Sequence, residues 1–157
     1  MTTAPRPDVR VRSAESRDVA RVGAIERLAF SDPWSDAAFL DLVGRPGVLF
    51  DVAVREGGAP ADVLGYVVVY LMGVEADLAN VAVAPQSRRD GVGRALVRHA
   101  IRSARAQGVL ELFLEVRESN EAARTLYLDE GFAEVGRRLR YYVRPVENAL
   151  ILRRALR

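Results

Sequence analysis

The sequence predicts an α/β fold in which a mixed sheet of about seven strands carries helices on both faces. Three observations point there. Apolar residues follow two periods, alternating in some segments and helical in others. The resulting element order is β-α-α-β-β-β-α-β-α-β-β. The 157 residues contain no linker, repeat or low-complexity stretch, so a single domain spanning 1–157 with a real core is expected.

Each element has its own signal. Asp8 to Ala14 alternates apolar and charged residues and predicts a first strand. Ser16 opens a helix whose stripe is Val19, Val22, Ile25 and Ala29, with Leu28 a further candidate, broken at Ser31-Asp32-Pro33-Trp34. Ser35 caps a short helix that ends before Gly44-Arg45-Pro46-Gly47. Val48 to Arg55 and Val63 to Met72 are β-branched apolar runs, and the turn Glu56-Gly57-Gly58-Ala59-Pro60 makes them a hairpin. Glu75 to Ala84 is a further strand, stopped by Pro85. An amphipathic helix spans about Gly93 to Gln107, with Leu96, Val97, Ala100, Ile101 and Ala104 on its apolar side and Gly108 as its stop. Val109 to Arg117 is the strongest strand signal. Ser119 or Asn120 caps a helix ending at Gly131, and Phe132 to Tyr142 and Asn148 to Arg153 are the last strands.

Composition removes several chemistries. With no cysteine, disulfides, thiol nucleophiles and cysteine-ligated metals are excluded. His99 is the one histidine, so neither a zinc site nor a Ser-His-Asp triad is expected; it falls on the polar side of its helix and is read as surface. All 23 basic residues are arginine, which excludes Schiff-base lysines and the lysine of NTPase phosphate loops. A net charge of +2 gives no indication of nucleic-acid binding. No apolar run approaches the ~20 residues of a membrane span, and the first residues lack a secretory pattern; a cytoplasmic protein is expected.

The most informative stretch is Asn80-Val81-Ala82-Val83-Ala84-Pro85-Gln86-Ser87-Arg88-Arg89-Asp90-Gly91-Val92-Gly93-Arg94. A strand enters a glycine-bearing loop that opens directly into a long helix. The first turn of a helix offers unpaired N–H groups and a positive dipole end, which suit a phosphate. Gly91 and Gly93 allow close backbone approach, and Arg88, Arg89 and Arg94 add fixed positive charge. Taken alone, the same residues are equally a polar connection whose glycines serve turn geometry. Neither G-x-G-x-x-G nor the NTPase loop is present.

Arg88-Arg89-Asp90-Gly91-Val92-Gly93 resembles the R/Q-x-x-G-x-G/A motif of the GNAT superfamily of acyl-CoA N-acyltransferases. The block Leu114-Glu115-Val116-Arg117-Glu118-Ser119-Asn120, with Leu126-Tyr127, Gly131-Phe132, Phe30 to Trp34 and Arg138 to Tyr142, is similar to the RimI-type protein N-terminal alanine acetyltransferases. The resemblance covers nearly the whole chain. It implies a mostly antiparallel sheet and acetyl-CoA as co-substrate, with no metal. The loop Arg88, Arg89, Asp90, Gly91, Val92, Gly93 and Arg94 would hold the pyrophosphate. Val81, Ala82 and Val83 would lie along the pantetheine arm, with Asn120 touching it as well as capping its helix.

The resemblance also assigns roles. Alternation puts Glu111, Phe113, Glu115 and Arg117 on one strand face. On pattern alone Glu115 is a solvated carboxylate paired with Arg117; the family makes it the general base, directly or through water. Tyr127 is on pattern alone an aromatic between helix and sheet; the family makes it the acid that protonates the leaving thiolate. Trp34, Glu75 and Tyr141, with Phe30 and Tyr142, would frame the acceptor entrance, Glu75 holding the ammonium or serving as a second base. Trp34 could equally be a hydrophobic staple. Val143-Arg144-Pro145-Val146 departs from the RimI pattern at a loop bordering the peptide site.

An α-amino group titrates near ~7.7–8.0 against ~10.4 for lysine, so freeing a lysine costs roughly 3.5 kcal/mol more. A carboxylate base suits an N-terminus more easily. That permits an N-terminal acceptor, and the resemblance implies one: the N-terminus of a protein, ribosomal proteins among them. Lysine side chains, small amines and a non-catalytic acyl-CoA-binding module remain as alternatives.

Overall fold

The computed structural model of the chain describes residues 8–58 and 62–157. Seven strands form one sheet in the order β1-β2-β3-β4-β5-β7-β6. They are β1 (Val9–Ser13), β2 (Val48–Arg55), β3 (Val63–Met72), β4 (Glu75–Val83), β5 (Glu111–Arg117), β6 (Ala133–Val143) and β7 (Val146–Ala155). Only β4 and β5 run parallel; every other neighbour pair is antiparallel. The helices are α1 (Val19–Ala29), α2 (Asp36–Leu42), α3 (Val92–Ala106) and α4 (Glu121–Asp129).

The expected fold class and element order hold, with local differences at the ends. A 3-10 turn over Ser16–Asp18 precedes α1. Leu28 lies outside the buried stripe of α1, 69% exposed. Leu110 and Glu111 both donate to the Val74 carbonyl, so β5 starts at Glu111 rather than Val109. β7 extends beyond the predicted Asn148–Arg153 because β6 and β5 supply partners along its whole length. Ala59 and Pro60 of the predicted turn lie outside the described residues.

Strand alternation sends side chains to two cores. On one face Phe50, Val52, Tyr66 and Val68 meet Val22 and Ile25 of α1 and Phe39 of α2. On the other, Val67, Val69, Leu112 and Leu114 meet the predicted stripe of α3 and Tyr127 of α4. Burying a leucine such as Leu96, fully enclosed here, is worth about 2–5 kcal/mol against alanine. Gly65 is required for close approach: a Cβ there would stand 2.7 Å from the Ala82 carbonyl oxygen and 3.0 Å from Leu96. Among the described residues, no helix is long and apolar enough to cross a membrane.

Two irregularities shape the cleft. β4 and β5 are in register only over Glu75↔Glu111, Ala76↔Leu112 and Asp77↔Phe113. Beyond Asp77 the strands part, helped by a bulge in β4, where Val68 pairs Asn80 but Val69 pairs Leu78. The second irregularity lies in β6. Arg138 pairs Ala149 and Tyr142 pairs Glu147, so three residues oppose Asn148 alone. Arg140 takes a positive φ of 52° there, and its N–H donates to Asn148 Oδ1 at 3.0 Å.

Candidate active site

The parting of β4 and β5 opens a cleft of about 360 Å³. Its floor is Asp77, Leu78, Ala79 and Asn80 of β4 and Glu115 and Arg117 of β5. Phe30, Ser31, Asp32 and Trp34 form one wall, and Tyr141 and Tyr142 form the other. Two adjacent tyrosines reach one cleft because the β6 bulge breaks the alternation that would send them to opposite faces.

Glu115 lies where the strands separate. Its Oε1 stands 3.3 Å from Arg138 Nε, and its buried Oε2 has no hydrogen-bond partner. The pairing expected with Arg117 does not form; Arg117 turns instead to Glu147 and the β6–β7 turn. Asp77 opens into the same cleft from the neighbouring strand. Burial first, and then the Glu115 charge, push its carboxyl above the usual range, with Arg138 opposing. Tyr141 is raised in turn by burial and by Glu115, and burial with the nearby Glu115 pushes Tyr142 up to about 12.

Glu75 needs correction as an acceptor contact. It shares a strand face with Asp77 but sits one pleat repeat, roughly 6.6 Å, nearer the closed end, between Met72 and Glu111. It is exposed and outside the cleft lining; Asp77 stands where Glu75 was expected. Trp34 combines both readings, lining the cleft while its ring meets Phe39 at 5.5 Å and Tyr70 at 6.5 Å.

Sequence reasoning missed the group that holds this wall. Glu26 is 1% exposed and accepts from the Trp34 N–H at 2.9 Å, from Asn80 Nδ2 at 2.8 Å and from the Tyr66 hydroxyl. Its signal was available: Glu26 falls on the Val22–Ala29 stripe of α1, where a carboxylate needs partners. Tyr70 was also missed, a residue at the end of an otherwise apolar run.

The β5-facing edge of β4 from Leu78 to Val83 has no strand beside it. Val81, Ala82 and Val83 lie on that stretch, so their backbone can pair with an extended ligand as a strand would. It leads to Gly91, which caps α3 in the left-handed conformation, φ 73°, with no side-chain acceptor on the first-turn N–H groups. Gly93 comes next; a Cβ there would stand 3.4 Å from Leu126 and 3.6 Å from Val83.

The loop arginines divide. Arg88 and Arg89 are exposed. Arg94 pairs with Asp129 and Glu130, each at 3.2 Å, and ties α3 to the end of α4. Asp90 lies 3.6 Å from Arg55 and anchors the loop to β2. Val92 is fully buried under the loop.

Asn120 caps α4, its Oδ1 accepting the Ala123 N–H at 3.2 Å. That cap starts the helix carrying Tyr127, which is 5% exposed and edge-on to Phe132 at 5.7 Å. Burial, then Tyr142, raises the Tyr127 phenol well above its ordinary value, so it keeps its proton at any working pH. His99 is partly buried and faces the buried Asp51 at 3.4 Å, which corrects its reading as plain surface.

A family model described as "Acetyltransferase (GNAT) family" matches residues 19–132. The chain belongs to the GNAT acetyltransferase family. It is 38% identical over 132 residues to the [ribosomal protein bS18]-alanine N-acetyltransferase of Escherichia coli K12, covering 84% of this chain and 86% of that one. It is 34% identical to the N-alpha-acetyltransferase RimI of Mycobacterium tuberculosis, covering 97% and 96%. The crystal structure of the ribosomal-protein-S18-alanine N-acetyltransferase from Escherichia coli superposes with a TM-score of 0.83 at 32% identity, covering 94% of each chain. The chain is therefore an N-acetyltransferase, as this family is, with the mostly antiparallel sheet expected.

Proposed function

We propose that this N-acetyltransferase transfers the acetyl group of acetyl-CoA to the N-terminal α-amino group of a protein. The observation that carries the reading is the carboxylate pair Asp77 and Glu115, facing an aromatic-walled cleft where β4 and β5 part. The Escherichia coli relative named above is a [ribosomal protein bS18]-alanine N-acetyltransferase, which supports a ribosomal protein as acceptor.

In this reading the acceptor enters as an ammonium, and Asp77 and Glu115 attract it. Glu115 accepts one proton, directly or through a water. The neutral nitrogen then attacks the thioester carbon, forming the C–N bond. As the tetrahedral centre collapses the C–S bond breaks, and Tyr127 gives its proton to the departing thiolate. The nitrogen loses its second proton to solvent, Glu115 returns to solvent the proton it took, and the phenol is reprotonated from solvent. The free edge at Val81–Val83 would hold the pantetheine arm beside Asn120. The α3 N-terminus, with Gly91, Gly93, Arg88 and Arg89, would hold the pyrophosphate. Arg94 and Asp90 support that loop from behind.

The test follows CoA release with acetyl-CoA and a short peptide beginning with unblocked alanine, and locates the acetyl group by mass spectrometry. An N-blocked peptide with an internal lysine is the control. Acetylation confined to the free N-terminus supports the proposal. Transfer only to lysine moves the acceptor to side-chain amines, and release with neither overturns the N-terminal reading.

A further inference from the structure

The two walls of the cleft come from distant parts of the chain. One is the α1–α2 connection, the other the tip of the β6–β7 hairpin, and β6 is an edge strand. Little else joins them. Asp32 and Arg144 face each other at 3.7 Å, but both are 69% exposed, and such pairs contribute little. The Ser31 hydroxyl donates to the Arg144 carbonyl.

Arg117 does the joining. It is rooted in β5, two residues beyond Glu115, and its side chain is 24% exposed. Nη2 donates to the Ser31 hydroxyl oxygen at 3.4 Å and to the Arg144 carbonyl at 3.3 Å. Nη1 donates to the Pro145 carbonyl at 3.1 Å and to Glu147 at 3.2 Å. The guanidinium also lies over the Tyr142 ring, 4.2 Å from its centre. Glu147 in turn accepts the Ser119 N–H at 2.6 Å, one residue before the α4 cap.

We propose that Arg117 is a positioning and specificity-determining residue that latches the two acceptor walls together and so makes the enzyme favour a peptide over a small free amine. The inference rests on the cleft being the acceptor site. Its chemistry is geometric: a planar fork reaches acceptors on two segments while stacking on an aromatic face, which a lysine ammonium cannot reproduce. A small amine needs only the Asp77–Glu115 end; a peptide also needs walls at a fixed separation.

Arg117→Met and Arg117→Lys would be compared with the parent on an alanine-initiated hexapeptide and on alanine amide. Both should raise the peptide KM roughly ten-fold, the loss expected for a charge-assisted hydrogen-bond set, and raise the alanine amide KM by clearly less, with the KM for acetyl-CoA within about two-fold. Equal losses on both acceptors, or an unchanged peptide KM, would overturn the latch. Ser31→Ala trims the same latch from an exposed position and should shift the peptide KM in the same direction if Arg117→Met does not fold. Should the parent acetylate neither acceptor, the proposed function fails, and hydrogen exchange then decides the latch. Amides of 141–147 should exchange faster in Arg117→Lys than in the parent, and unchanged exchange would overturn it.

Discussion

Two carboxylates a strand apart cannot be equally charged at no cost. Asp77 bears that cost, since burial and Glu115 push its carboxyl up. Replacing Glu115 by Gln removes the proposed proton acceptor and should lower kcat by roughly 10²–10⁴-fold, the range for general-base catalysis, with acetyl-CoA affinity nearly intact by calorimetry. Unchanged turnover would remove Glu115 from that role. Glu26 is different in kind: it faces three donors in a buried site. Glu26→Ala leaves the Trp34 N–H, Asn80 and Tyr66 short of an acceptor and should cost about 3 kcal/mol or more in urea unfolding. A cost below about 1 kcal/mol would mean that water takes over the carboxylate's place.

At the scale of elements, the N-terminus of α3 and the first strand make separate predictions. Gly91 holds a φ of 73° at the start of α3, a conformation L side chains resist. Gly91→Val should tilt the loop and weaken acetyl-CoA binding while leaving the amine cleft intact. Equal acetyl-CoA affinity would show that the loop does not depend on this turn. The β1 end is held by Arg12, whose two terminal nitrogens grip Asp18 at 2.8 and 2.9 Å. Burial would raise this carboxyl, but the Arg12 clamp prevails and holds it below the usual range. A folded value below the unfolded one stabilises the protein above about pH 4, and that contribution disappears as the pH falls through the lowered value. Denaturation curves from pH 5 to 2 should therefore fall more steeply for the parent than for Asp18→Asn. Parallel curves would assign the acid sensitivity elsewhere.

For the whole molecule, the proposed cofactor and acceptor sites share the gap between β4 and β5, so occupancy of one should be felt as stability of the fold. Acetyl-CoA at a hundred times its Kd should add about 2.7 kcal/mol, an upward shift of several degrees in melting temperature. No shift would remove the gap as a cofactor site. The sequence by itself determined the elements and their order, because period, caps and glycine stops are local properties; Ser35, Asn120 and Gly108 end or begin helices where the chain alone says they must. It also carried the glycine-bearing loop that opens α3 and the motif around Glu115. The tertiary structure alone decided the partners. Whether Glu75 or Asp77 reaches the cleft depends on where β5 leaves β4, and Arg94 meets Asp129 and Glu130 because α4 packs beside α3. The tyrosine wall owes its aim to the β6 bulge, the Trp34 wall to Glu26, and Arg117 reaches across 86 residues of sequence to Ser31. Register and long-range contact arise between strands and not within any one of them, which is why no reading along a single segment could contain them.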